Sequence, residues 1–80
     1  NYPNPFNPST LIRFSVPIGE KVSLKVFDMT GKEVATLADG ILEAGSHSMK
    51  FDASRLASGT YFYRLTTARY TETRKMLLVK

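Results

Sequence analysis

The stretch that most constrains this chain is residues 51–65, Phe-Asp-Ala-Ser-Arg-Leu-Ala-Ser-Gly-Thr-Tyr-Phe-Tyr-Arg-Leu. Past Gly59 its side chains alternate, with Tyr61, Tyr63 and Leu65 on one face and Phe62, Arg64 and Thr66 on the other. A strand this aromatic cannot bury its rings alone and needs a sheet on at least one side. Upstream, Asp52 can accept hydrogen bonds from the free N–H groups that follow it, as an N-cap or an Asx turn does. Residues 53–58 are then long enough for about one or two helical turns, which Gly59 can stop by taking φ > 0. Leu56 is the large apolar residue of that turn and is expected to plug the core. A plug between two strands, followed by a tyrosine at the next strand, is how a β-sandwich carries its chain from one sheet to the other. Tyr61 is accordingly expected to form a tyrosine corner, its ring inside and its hydroxyl on a nearby backbone group.

The rest of the chain repeats the period of two. Ile12, Phe14 and Val16 oppose Arg13 and Ser15; Val22, Leu24 and Val26 oppose Ser23, Lys25 and Phe27. Asp28-Met-Thr-Gly31 has Asp at the first and Gly at the fourth turn position, the pattern of a type I turn closed by a glycine bulge. Residues 32–38 return with Val34 and Leu37 as apolar anchors. Asp39-Gly40 and Ala44-Gly45 then bound an expected short loop, and His47, Met49 and Phe51 share a face on the strand after it. Asp28, Gly31, Gly45, Asp52 and Gly59 are thus expected as structural turn residues. Thr67-Ala-Arg69 is a turn without glycine. The last strand, residues 70–79, is polar first and continuously apolar from Met76 to Val79, so its second half is expected to be covered on both faces or to lie deep in a sheet. Six or seven short strands at this spacing predict an all-β fold, a small immunoglobulin-like antiparallel sandwich. Its core is expected to include Phe14, Val22, Leu24, Val26, Leu37, Phe51, Leu56, Tyr61, Tyr63 and Leu65.

Eighty residues make one domain, 1–80, expected as a monomer. Pro3, Pro5 and Pro8 bar the opening from the interior of a sheet. With Tyr2 and Phe6 beside them, residues 1–10 are expected to be an extended lead lying against the domain. No apolar run reaches membrane-spanning length. The net charge of +4 comes from Lys and Arg spread along the whole chain, a solubility balance rather than a nucleic-acid site.

Catalytic chemistry is not legible. With no cysteine there is no disulfide, thiolate nucleophile or cysteine zinc site, and His47 is the single histidine. It shares parity with Met49 and Phe51, which reads as a residue packed at the core edge. The aspartates sit at turns, without the alternating spacing of a calcium loop. No cofactor, metal or enzymatic activity is expected. Phe27, Phe62 and Tyr70 could form an outward aromatic platform for sugar or nucleic acid; burial on both faces of the sheet explains them equally well.

Four blocks carry a family likeness: Asn-Tyr-Pro-Asn-Pro-Phe-Asn-Pro-Ser-Thr at 1–10, Lys-Val-Ser-Leu-Lys-Val-Phe-Asp-Met-Thr-Gly-Lys-Glu-Val at 21–34, Leu-Ala-Ser-Gly-Thr-Tyr-Phe-Tyr-Arg-Leu at 56–65, and Lys-Met-Leu-Leu-Val-Lys at 75–80. Together they resemble the type A C-terminal sorting domain of the bacterial type IX secretion system. The resemblance implies an immunoglobulin-like address that sends an attached cargo, N-terminal to Asn1, from the periplasm through the outer-membrane translocon. It further implies removal by a sortase-like protease at or before Asn1, with the cargo released or held at the cell surface. By position, recognition by the translocon maps onto Lys75, Met76, Leu77, Leu78, Val79 and Lys80. More distantly the chain resembles the immunoglobulin-like domain of the flagellar hook-capping protein, which would make it a structural assembly module. An accessory adhesive or carbohydrate-binding module of an extracellular enzyme is the third reading, resting on the aromatics alone.

Overall fold

The structure, a computed structural model, describes residues 9–79. Of the lead expected over residues 1–10, residues 1–8 lie outside the described residues, as does Lys80, while Ser9 and Thr10 open the first strand. Six antiparallel strands form two facing sheets, the small β-sandwich that the alternation predicts. The strands are β1 (Ser9–Val16), β2 (Glu20–Asp28), β3 (Glu33–Leu42), β4 (Gly45–Asp52), β5 (Gly59–Thr66) and β6 (Thr71–Leu78). β1 and β4 make a two-stranded sheet; the other sheet has the order β3-β2-β5-β6. The chain therefore changes sheet after β1, after β3 and after β4, and β2 pairs with β5 across the intervening β3 and β4.

The core lies between the sheets. Ile12 and Val16 of β1, Val22, Leu24 and Val26 of β2, Phe51, Ala53, Tyr61, Leu65, Met76 and Leu78 are buried. Parity chose these faces correctly, but several expected core residues sit at its margin. Phe14, Leu37, Leu56 and Tyr63 are half-buried and pack against the core from outside it.

β3 departs most from the sequence reading. It is one strand through Asp39, Gly40, Ile41 and Leu42, where a loop was expected. Its pairing with β2 slips twice: Leu24 faces Ala38 while Lys25 faces Thr36, and Val26 faces Ala35 while Phe27 faces Glu33. Leu37 and Val34 are the extra residues at these two bulges. Each bulge resets parity, which is how Val34 and Leu37, three apart, both turn toward the core beside Ala35 and Ala38.

No helix forms at residues 53–58. Asp52 Oδ1 accepts the Ser54 N–H at 3.0 Å, the Leu56 N–H donates to the Ala53 carbonyl at 3.0 Å, and the segment ends as a single turn. The reason is spatial: the segment spans from one sheet to the other, and Ala53, wholly buried, takes the inward position that the sequence had suggested for Leu56. Gly59 does have positive φ, at +154°, but it opens β5 rather than stopping a helix. The tyrosine corner is present. Tyr61, 7 % exposed, donates its hydroxyl to the Ala57 carbonyl at 2.8 Å and so ties β5 to the crossing that feeds it.

The β2–β3 turn is the other well-fixed connection. Asp28 Oδ1 accepts from the Thr30 N–H (2.9 Å), the Thr30 hydroxyl (2.6 Å) and the Lys32 N–H (3.1 Å), while Gly31 N–H donates to the Asp28 carbonyl at 3.0 Å. Gly31 has φ +85°, and a Cβ there would meet no atom within 4 Å. Gly31→Val should therefore cost about 1–2 kcal/mol of backbone strain with no steric clash. A urea melt reads this directly, and an unchanged midpoint would mean the turn relaxes to another type.

Candidate functional site: the β6 edge and its surroundings

β6 is an edge strand. Among the described residues it pairs with β5 alone, from Gly59 opposite Leu78 to Thr66 opposite Thr71. Met76 and Leu78 point inward and are 2 % and 1 % exposed, whereas Leu77 and the following Val79 are 48 % and 43 % exposed. This corrects the expectation of a strand covered on both faces. An unbroken apolar run here serves two ends at once: alternate residues anchor the strand, and those between them are exposed beside a row of backbone N–H and C=O groups that pairs with no other strand among the described residues. Lys75 is exposed on the same outward face as Leu77. The six residues assigned to recognition thus divide into buried Met76 and Leu78, exposed Lys75, Leu77 and Val79, and Lys80 outside the described residues. A hydrophobic edge with one flanking lysine is the arrangement that accepts an added strand yet discourages indiscriminate pairing.

The turn residues stand elsewhere. Asp28 and Gly31 lie in the β2–β3 turn, Gly45 opens β4 opposite Val16, and Asp52 and Gly59 flank the crossing between sheets. Both aspartates are held below the usual carboxylate range, Asp28 chiefly by the Thr30 hydroxyl and Asp52 chiefly by the Ser54 N–H. A carboxyl whose folded pKa is depressed stabilises the fold above its unfolded pKa, and loses that contribution as pH falls through the folded value. Asp28→Asn should therefore melt below the parent at pH 7, and the gap should close as pH drops below about 3.9, the ordinary aspartate value. A gap that persists undiminished at pH 2 would exclude the charged form as its source.

Because two strands face four, the sheets do not cover each other fully. A cavity of about 510 Å³ opens between them, lined by Phe14, His47, Tyr63, Tyr70, Glu72 and Arg74 among others. Phe14 and His47 face each other across β1 and β4 and stack at 5.5 Å between ring centroids. His47 Nε2 lies 2.7 Å from the Glu43 carbonyl oxygen, which can only accept, so Nε2 carries the proton. Arg74 Nε donates to Glu72 Oε1 at 3.0 Å. These groups satisfy one another without lining up a nucleophile and a base. Among the described residues no three His, Asp or Glu side chains converge as a metal site.

The aromatic platform is only partly assembled. Phe27 and Phe62 are register neighbours on the outer face of the four-stranded sheet. Tyr70 is not with them: it belongs to the β5–β6 turn, lines the cavity, and its hydroxyl is 3.4 Å from the Ser15 carbonyl oxygen. Alternation alone could not assign Tyr70, because it falls where the strand pattern breaks.

No curated protein and no solved structure matches this chain. The family of secretion system C-terminal sorting domains matches it over residues 1–80, its whole length. An all-β sandwich of six strands agrees with the fold which that resemblance implied. The chain belongs to the family of secretion system C-terminal sorting domains, and its function is that of a sorting signal for type IX secretion, directing export to the cell surface or the extracellular space.

Proposed function

We propose that the domain engages the type IX translocon through β6 and the residues that follow it, with Lys75, Leu77 and Val79 read by the receptor, Met76 and Leu78 holding the strand in register, and Lys80 completing the recognised stretch. One observation carries this reading: on an edge strand whose alternate residues are buried Leu77 stands 48 % exposed, and Val79, just past the strand's end, is 43 % exposed. A receptor strand added at this edge would gain main-chain hydrogen bonds for affinity and alternate side chains for specificity. Recognition takes place in the periplasm. The cargo precedes Asn1, and a sortase-like protease of the same system cuts at or before Asn1, leaving the cargo free or attached to the surface.

The test fuses a fluorescent cargo to the domain in a bacterium that possesses the pathway. Leu77→Asp with Val79→Asp should lower export about tenfold or more, as loss of a central contact does, with the melting temperature kept within error. Leu11→Asp is the matched control: Leu11 is also 48 % exposed, but on the outer face of the two-stranded sheet. Undiminished export by the folded double variant would move the signal off β6, to the loops around Asp28, Gly31 and Gly45.

A further inference from the structure

Among the described residues no second layer covers the outer face of the four-stranded sheet, and it is both aromatic and cationic. The register sets two rows across the strands. Phe27 of β2 faces Phe62 of β5, which faces Lys75 of β6; Lys25 faces Arg64, which faces Thr73. Neighbouring side chains in each row are about 4.8 Å apart across the strands. Lys21, Lys25, Arg64 and Lys75 stand on this face against the acids Glu33 and Asp39, and Glu33 is taken up by Lys25 at 3.4 Å. Cations exceed acids, and the surplus lies toward β5 and β6.

Arg64 is the organised member. Its Nε is 3.4 Å from the Thr73 hydroxyl, and its guanidinium carbon sits 4.6 Å from the centre of the Phe27 ring. Stacking on an aromatic ring and a tether at Nε fix the plane of the guanidinium. A planar fork held in place before binding loses less freedom on meeting a carboxylate than a free lysine does. Beside it, Phe62 offers a ring to the C–H face of a sugar, and Lys75 follows on the next strand.

We propose that this face binds an acidic polysaccharide, a polymer of uronic-acid type, with carboxylates at Arg64 and Lys75 and a sugar ring against Phe62. One observation favours it over a nucleic acid. Non-specific strand binders stack successive bases on successive open rings, whereas Arg64 occupies the face of Phe27 and leaves Phe62 to act alone. The proposal does not rest on recognition at the β6 edge, and export and binding are measured separately.

The experiment is calorimetric titration of the 80-residue chain with hexagalacturonate, and with its methyl ester, at low salt. The free acid should bind and the ester should not, since esterification removes charge and leaves the ring. Arg64→Ala and Phe62→Ala should each weaken binding about tenfold, and Lys75→Glu should do the same while keeping a residue of similar length at the edge. Lys50→Ala, on the other sheet, should change nothing. Melting curves confirm that each variant is folded. The proposal is overturned if the acid fails to bind, if the ester binds equally well, or if Lys50→Ala costs as much as Arg64→Ala. Tighter binding of a hexathymidylate than of the hexagalacturonate would overturn it in favour of a nucleic acid.

Discussion

Phe51→Ala should destabilise the domain by about 3–5 kcal/mol, the cost of emptying a large buried aromatic site. Phe51 is 2 % exposed and fills the gap between the sheets at the end of β4, just before the chain crosses over. Domains of this kind hold only about 5–15 kcal/mol in total, so the variant should lose a large share of that margin. Leu56→Ala should cost about 1–2 kcal/mol, because a half-buried leucine returns only part of its transfer energy and leaves no closed cavity. Urea melts of the two variants separate the cases. A larger loss at Leu56 than at Phe51 would restore Leu56 as the plug and remove Ala53 from that role.

The second large effect is expected at Tyr61. Tyr61→Ala removes a ring that is 7 % exposed and should cost about 3–5 kcal/mol. Tyr61→Phe keeps the ring and deletes the hydroxyl bonded to the Ala57 carbonyl, for about 0.5–1.5 kcal/mol. The Phe variant also has a local signature. The Leu56 N–H, bonded to the Ala53 carbonyl within the same crossing, should exchange with solvent faster, while amides in the centre of β2 stay protected. Uniform acceleration across the domain would instead mean that the hydroxyl contributes only to global stability.

What could be read from the chain follows from where the period of two survives. It holds through β1, β2, β4 and β5, so Ile12, Val22, Leu24, Val26, Phe51, Tyr61 and Leu65 fell on the right face. The Asp28–Gly31 turn and the tyrosine corner were legible because each needs particular residues at fixed offsets. β3 was not, since its two bulges add residues at Val34 and Leu37, and an inserted residue looks the same as a change of face until the partner strand is known. The helical turn at 53–58 failed for a related reason: a capping aspartate and a later glycine suit a helix or a tight crossing alike, and the distance between the sheets decides. β6 was misjudged because an apolar run states that a strand is apolar without stating how many neighbours it has. The family was legible from four sequence blocks; which outward residues of β6 and of the outer sheet could meet a partner required the register.

The mismatch between a two-stranded and a four-stranded sheet has a mechanical side. A pull applied at Ser9 loads β1, whose strand ladder among the described residues is with β4 alone, beside one side-chain bond from the Tyr70 hydroxyl to the Ser15 carbonyl. Ser9 lies opposite Asp52, at one end of that ladder, so a sideways load opens the pairs one after another like a zip instead of shearing them all together. Ile12 and Val16, buried against the larger sheet, are the two teeth that resist. Under tension from the N-terminal side the domain should yield at β1 well before the β2–β5–β6 layer is disturbed. In a force-extension trace this gives a low first rupture releasing little chain, ahead of a higher one for the remaining sheet.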